Sequence, residues 1–263
     1  MSRINFNYIK NKYKKTKEKS LIVYFILRFL VILCMSAAIL RKEWNSAFLC
    51  ILSLLLFTIP TIIEDKLNIE LPTVLESIIY LFIFSAEILG EINNFYIMIP
   101  HWDTVLHTLN GFLAAGIGFS LIDLLNKNSK GLNLSPFFVA VVAFCFSMTI
   151  GVLWEFFEYS ADYYVKLDMQ KDKIITNINT VMLDPKNSNK VIRINDVTKT
   201  EIFTNDNSII VEDGYLDVGL NDTMKDLLVN FIGATCFSLF GYLYILNRDK
   251  YKFVRHFIPS KRK

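Results

Sequence analysis

The chain has 263 residues, of which 53% are hydrophobic, 14% aromatic and only 20% charged, and its formal net charge is +3. A soluble domain carries about 25% charged residues, and here the charges gather at the two ends and in one central stretch. That pattern excludes an ordinary soluble domain, points to a polytopic membrane protein, and gives no argument for nucleic acid as a partner.

Residues 1–20 hold seven Lys/Arg, from Arg3 to Lys19, against one acid, Glu18. They read as a solvated basic arm that sets membrane orientation. The apolar run that follows, roughly 21–40, reaches the ~20 residues that cross a bilayer. It is too long for the apolar core of a signal peptide and lacks a small-residue cleavage site, so a span is expected and not a cleaved leader. Arg28 lies inside it, close enough to the end to snorkel. A second span is expected at 44–63, opened by Trp44, and a third at 72–90, begun by Pro72. The fourth starts at His101-Trp102-Asp103 and runs to about Leu125. The fifth starts at Pro136 and continues as helix through Glu158 and Asp162, and the sixth covers about 223–246. The four cysteines (Cys34, Cys50, Cys145 and Cys236) all fall in apolar segments without metal-ligand spacing, and read as small packing residues.

Between the last two spans lies a polar insert, 164–221. Short β-favouring runs occur at Ile174-Ile175, Val191–Ile194, Glu201–Thr204 and Ile209–Val211, separated by Asp184-Pro185-Lys186-Asn187 and Asn205-Asp206-Asn207. This predicts a small hairpin or three-stranded flap. The fold class is therefore all-α and polytopic, six transmembrane helices with a β-rich insert between the fifth and the sixth. Its segments are a basic arm (1–20), five spans (21–163), the insert (164–221), the sixth span (222–246) and a basic tail (247–263).

Six spans bring both termini to one side. Seven Lys/Arg at each terminus, with Lys127 and Lys130 in the 126–135 turn, make that side cytoplasmic and the insert extracytoplasmic. Trp44, Trp102 and Trp154 then fall at outer span ends, as an aromatic belt would.

The acidic residues concentrate at the same outer ends. Glu87 closes the third span. Asp103, His107 and Gly111 open the fourth at steps of four, on one helix face. Glu155, Glu158 and Asp162 close the fifth, and Asp222, Asp226 and Asn230 open the sixth. Below them run small-residue stripes (Gly111, Ala114, Ala115 and Gly118; Ala143, Ser147 and Gly151; Gly233, Ala234, Ser238 and Gly241) that let transmembrane backbones approach. The expectation is an outer pocket walled by three helices. Carboxylates crowded in a low dielectric call for protons or a cation, and carboxylates with imidazole suit Zn, Mn or a similar divalent ion. Asp103, His107, Glu155 and Asp226 are the candidate metal ligands. Glu158 and His107 are the candidate catalytic groups, and Glu87, Asp162, Asp222 and Asn230 complete the pocket. Simpler roles compete: helix N-caps at Asp103 and Asp222, a packing histidine at His107, solvated helix-end acids at Glu155 and Glu158, and interhelical glue at Asp226 and Asn230.

The set Trp102-Asp103-x-x-x-His107-x-x-x-Gly111, Trp154-Glu155-x-x-Glu158 and Asp222-Thr223-x-x-Asp226-x-x-x-Asn230-x-x-Gly233-Ala234 resembles an uncharacterised family of bacterial membrane-spanning proteins typified by YjdF, over residues 75–245. A fainter resemblance is to VanZ-like proteins, which implies a role at the cell envelope. Against that pattern Glu158 stands where a Gln is expected, and the insert replaces a short Arg-containing loop. The resemblance implies a bacterial plasma-membrane protein and carries no reaction with it.

The functional expectation is a metal-assisted hydrolase or transferase acting on lipid or a lipid-linked envelope substrate, with the insert as a lid. Membrane lipid is the expected partner. The alternatives are an ion-coupled transporter, and a structural or partner-binding envelope protein without catalysis.

Overall fold

A computed structural model describes residues 6–128 and 133–262. The first five residues of the basic arm and Lys130 of the 126–135 turn lie outside the described residues. Among the described residues, six helical stretches are long and apolar enough to cross a membrane: Ser20–Arg41, Trp44–Lys66, Thr73–Ile92, Trp102–Asn126, Pro136–Val165 and Leu220–Leu246. Their boundaries follow hydropathy because hydrocarbon leaves a span no partner for its backbone except its own helix.

The individual helices are α1 (Phe6–Arg41), α2 (Trp44–Leu56), α3 (Ile59–Leu67), α4 (Thr73–Ile83), α5 (Phe95–Met98), α6 (Trp102–Asn128), α7 (Pro136–Ser160) and α8 (Leu220–Leu246). The second span is thus two helices. Pro60, in the first turn of α3, lacks an N–H and would clash with a continuing helix. The last turn of α2 closes with Phe57 N–H on Ser53 O and Thr58 N–H on Leu55 O. α4 widens into a π-helix, Phe84–Ile92, and α7 ends in a shorter one, Ala161–Val165.

The chain forms two compact units, 1–151 with 228–263, and 152–227. In the first, Leu27 and Val31 of α1 pack with Cys50 of α2, with Phe57, and with Tyr80 and Ile83 of α4. A second core gathers Ala115 and Phe119 of α6, Val139 and Ala143 of α7, and Ala234 and Phe237 of α8. The segment after α8 belongs to this core. A 3₁₀ turn, Lys252–Phe257, buries Val254 and sets the Phe257 ring edge-on to Phe112 at 5.3 Å. Strand β8 (Ser260–Lys261) then pairs antiparallel with β1 (Ile69–Glu70), and Arg262 lies 2.7 Å from Asp65. Residues 252–261 of the basic tail are therefore folded against the first unit.

The second unit is the insert with the flanking helix ends. It holds three two-stranded antiparallel sheets where a hairpin or three-stranded flap was expected. β2 (Lys173–Ile175) pairs with β7 (Tyr215–Asp217) and encloses in sequence the hairpins β3 (Ile178–Thr180)/β4 (Ile192–Ile194) and β5 (Lys199–Phe203)/β6 (Ser208–Glu212). The β3–β4 connection is built on Asp184, whose carboxylate accepts from the N–H groups of Lys186, Ser188 and Lys190 and from the Ser188 hydroxyl. Those bonds hold the Asp184 carboxyl below the usual carboxylate range, the Ser188 hydroxyl first among them.

Candidate metal centre

The start of α6 is held from outside the helix. His101 adopts a left-handed backbone, φ 63°, and its carbonyl accepts the first helical bond, from Val105 N–H at 3.0 Å. His101 is thus the capping residue. Asp103 sits in the first turn, where a carboxylate favours the helix dipole, and not at the N-cap position. The Trp102 indole packs edge-on to Phe95, with ring centroids 5.1 Å apart, and donates to Ser85 O in the π-helical segment at 3.3 Å. With the helix start fixed, the four-residue step brings His107 Nε2 to 3.3 Å from Asp103 Oδ1, both side chains largely withdrawn from solvent.

One turn deeper, α6, α7 and α8 meet through their small residues. A Cβ on Gly111 would fall on the Asn230 carbonyl oxygen, and one on Gly233 would fall on the Thr108 carbonyl oxygen. A Cβ on Gly151 would lie 2.7 Å from Asn230 Nδ2. Polar bonds cross the same junction. Asn110 Nδ2 donates to Asn230 Oδ1 at 3.1 Å, and the Ser147 hydroxyl donates to Gly111 O at 2.7 Å. Asn230 is 1% exposed and acts as the polar hub of the three helices. Asn110 and Ser147 are absent from the sequence-derived site. Asn110 follows His107 by three positions, a helical neighbour that inspection for charge passes over.

Asp226 stands one turn before Asn230 on the continuous helix α8, is 2% exposed, and has Lys225 Nζ at 3.6 Å. One carboxylate oxygen each from Asp103 and Asp226 and an imidazole nitrogen of His107 lie within 4.8 Å of one another. Among the described residues this is the group of His, Cys, Asp and Glu side chains with the spacing to hold an ion. The donor set fits one. The 3.3 Å between His107 and Asp103 matches the edge of a tetrahedron whose ligands lie about 2.0–2.1 Å from the metal.

The other candidate residues are placed differently. Glu155 and Glu158 are both buried near the end of α7, and the Trp154 indole donates to Glu158 Oε1 at 2.9 Å. Asp162 accepts from the Met169 and Gln170 N–H groups at 2.6 and 2.8 Å, shaping the exit from α7 into the insert. Asp222 accepts from Lys171 N–H at 3.0 Å and pairs with Lys173 at 3.2 Å, in the third helical position after Gly219 and not as an N-cap. Acid is concentrated at this base of the insert, and the Asp172 carboxyl is raised by burial first and then by Asp168, Asp162 and Asp217. Glu87 is buried within the π-helical segment, and its Oε2 has no hydrogen-bond partner among the described residues.

Buried acids also occupy the opposite end of the spans. Glu76 accepts from the Ser20 hydroxyl at 2.8 Å and the Tyr80 hydroxyl at 3.0 Å, and Asp123 pairs with Arg248 at 2.9 Å.

The family described as "Predicted membrane protein (DUF2238)" matches residues 21–247. An uncharacterized protein of Thermotoga maritima is 29% identical over 103 residues, which is 39% of this chain and 52% of that protein. The match thus spans about half the length of that relative. No solved structure matches the chain. With the family match running from the first span through the last, the chain belongs to the DUF2238 family of predicted membrane proteins.

Proposed function

We propose that this protein is a membrane-embedded metalloenzyme, a hydrolase or transferase acting on lipid or a lipid-linked envelope substrate, with Asp103, His107 and Asp226 as metal ligands. The observation that carries the reading is the approach of those three donors to within 4.8 Å on two helices packed through Gly111 and Asn230. Three protein donors leave a coordination position open, the arrangement of catalytic and not structural sites. Two carboxylates with an imidazole suit Zn or Mn. A bound divalent ion would polarise a phosphoryl or acyl oxygen and lower the pKa of water.

Glu155 is the reserve ligand. Glu158, oriented by Trp154, is the proton acceptor. The donors lie at the starts of spans, the depth of lipid headgroups, which supports a lipid or lipid-linked substrate. The Lys/Arg-rich ends support a topology with both termini in the cytoplasm of a bacterium and the insert on the other side of the plasma membrane. The family is read as the one typified by YjdF, on the three motifs at Asp103, Glu155 and Asp226, with the VanZ-like likeness as the pointer to the envelope.

A second reading has its own observation. Asn110 of α6 bonds Asn230 of α8 one turn below Asp226, so polar side chains beside the three donors hold the helices together without an ion. Elemental analysis of the purified protein separates the two. The enzyme reading expects about one equivalent of a transition metal, lost in His107→Ala and in Asp226→Asn while both variants stay folded. A metal-free wild-type protein whose two variants unfold at lower temperature refutes it in favour of the junction. Lipid extracts of a deletion strain compared with its parent then identify the substrate.

A further inference from the structure

Glu87 is not among the donors that meet at Asp103, and it stands in a different part of the first unit. Glu76, Tyr80, Ile83 and Glu87 follow one another at steps of four, three and four, and all four are buried. Such steps share one helix face, and Tyr80, Ile83 and Ile88 set that face in the core made with α1 and α2. Other buried acids of this unit have partners. Glu64 accepts from Leu71 N–H at 2.7 Å, Glu76 from the Ser20 and Tyr80 hydroxyls, and Asp123 from Arg248. Glu87 is 3% exposed, and its Oε2 is sealed from solvent without a hydrogen-bond partner. Among the described residues no basic side chain pairs with it.

A lone carboxylate in such surroundings costs more free energy than a whole fold provides, and the group is neutralised instead. Space limits what can neutralise it. A sealed oxygen leaves no room beside it for water or a metal ion, and a proton needs none. Of the two oxygens of a neutral carboxyl, one is a donor. Oε2, which no N–H or O–H faces, is the oxygen on which that hydrogen meets no competing donor.

We infer that Glu87 is a proton-binding site of the first three spans, a neutral carboxyl that carries its hydrogen on Oε2 and exchanges it with water through Glu91. Glu91 follows four residues on, half-buried at the end of the span, and is the charged group close enough to act on Glu87. In the exchange the Glu87 O–H gives its proton to the Glu91 carboxylate, which passes it to water, and the return runs in reverse. Both acids sit in the nine-residue π-helical segment Phe84–Ile92, a form that is rare and often found at functional sites. The elements packed on this segment bring no counter-charge to Glu87. α5 sets the Tyr96 ring against Gly90. α6 meets the segment through the Trp102 indole on Ser85 O, and its Asp103 and His107 are grouped with Asp226. α1 and α2 pack here with apolar side chains and the thiols of Cys34 and Cys50. The inference does not depend on a metal at Asp103.

The test is infrared spectroscopy of the full chain in phosphatidylcholine bilayers at neutral pH. The difference between wild type and Glu87→Gln is expected to contain the C=O stretch of a protonated carboxyl, and that band is expected to shift when H₂O is replaced by D₂O. Glu76→Gln, which removes an acid already held by two hydroxyls, keeps the band. Glu87→Asp retains a carboxyl and moves the band without removing it, so the assignment stands on a second variant if the glutamine protein does not fold. Glu91→Gln is expected to slow the D₂O shift several-fold. A difference spectrum that shows the stretches of an ionised carboxylate, or no carboxyl band, overturns the inference. So does a band that Glu87→Asp leaves in place, or one that D₂O never shifts. An unchanged exchange rate in Glu91→Gln removes Glu91 from the route.

Discussion

Gly111 and Gly233 show how little room the helix junction leaves. At each, the atom that an added Cβ would meet is a backbone carbonyl of the facing helix, which cannot move aside as a side-chain tip can. Gly111→Ala is expected to destabilise by about 1–3 kcal/mol, the range for overpacking a tight contact, and to disturb Asn230 with it. Gly116→Ala is the control, because its Cβ would meet the Phe237 ring at 3.1 Å, a side chain able to yield. Thermal unfolding in detergent ranks the two variants, Gly111→Ala lower. In the insert, Asp184 makes a pH prediction. Its folded pKa is lowered, so its contribution is present above the ordinary aspartate pKa and is lost as pH falls through the folded value. Amide exchange of residues 184–190 is expected to speed up, relative to the rest of the insert, as the pH drops below about 4. Asp184→Asn is expected to show the faster exchange already at neutral pH.

Elements extend the same reasoning. The exit of α7 is fixed by Asp162, which takes both the Met169 and the Gln170 N–H. Asp162→Ala leaves those donors to water and is expected to raise protease cleavage between 165 and 172 several-fold, while the unfolding midpoint of the spans stays within a few degrees. A drop in that midpoint as large as the one in Gly111→Ala would show that Asp162 supports the bundle itself. The elements differ in how far local sequence announces them. The helical stretches were legible because twenty apolar residues are a local property. The break at Pro60 has a local cause too, but hydropathy alone runs through it. Strands β3 and β7 were missed because each carries a residue that disfavours strands, Asn179 and Asp217, and each is defined by a partner elsewhere in the chain, β4 at 192–194 and β2 at 173–175.

At the scale of the whole molecule, the C-terminal segment ties distant parts of the first unit together. Val254 and Phe257 pack into the α6–α8 core, β8 pairs with β1, and Arg248 reaches Asp123. Removing 252–263 takes the buried Val254 side chain out of the core, about 1.5–3 kcal/mol, and is expected to lower the unfolding midpoint by roughly 4–10 °C. An unchanged midpoint would mean that the tail rests on the bundle without supporting it. By itself the sequence determined the six spans, the β-rich insert and the i, i+4 pairing of Asp103 with His107, because each depends on residues within a few turns of one another. Only the tertiary structure decided which acids meet. Asp226 approaches Asp103 and His107, while Asp162 and Asp222 are taken up by the backbone of the insert, and Asp123 finds Arg248. The meeting of Asp226 with Asp103 and His107, and of Asp123 with Arg248, depends on the rotation and depth of helices more than a hundred residues apart in sequence. The contacts of Gly111 and Gly233 with α8 and α6 set that register, and the span sequences leave it open.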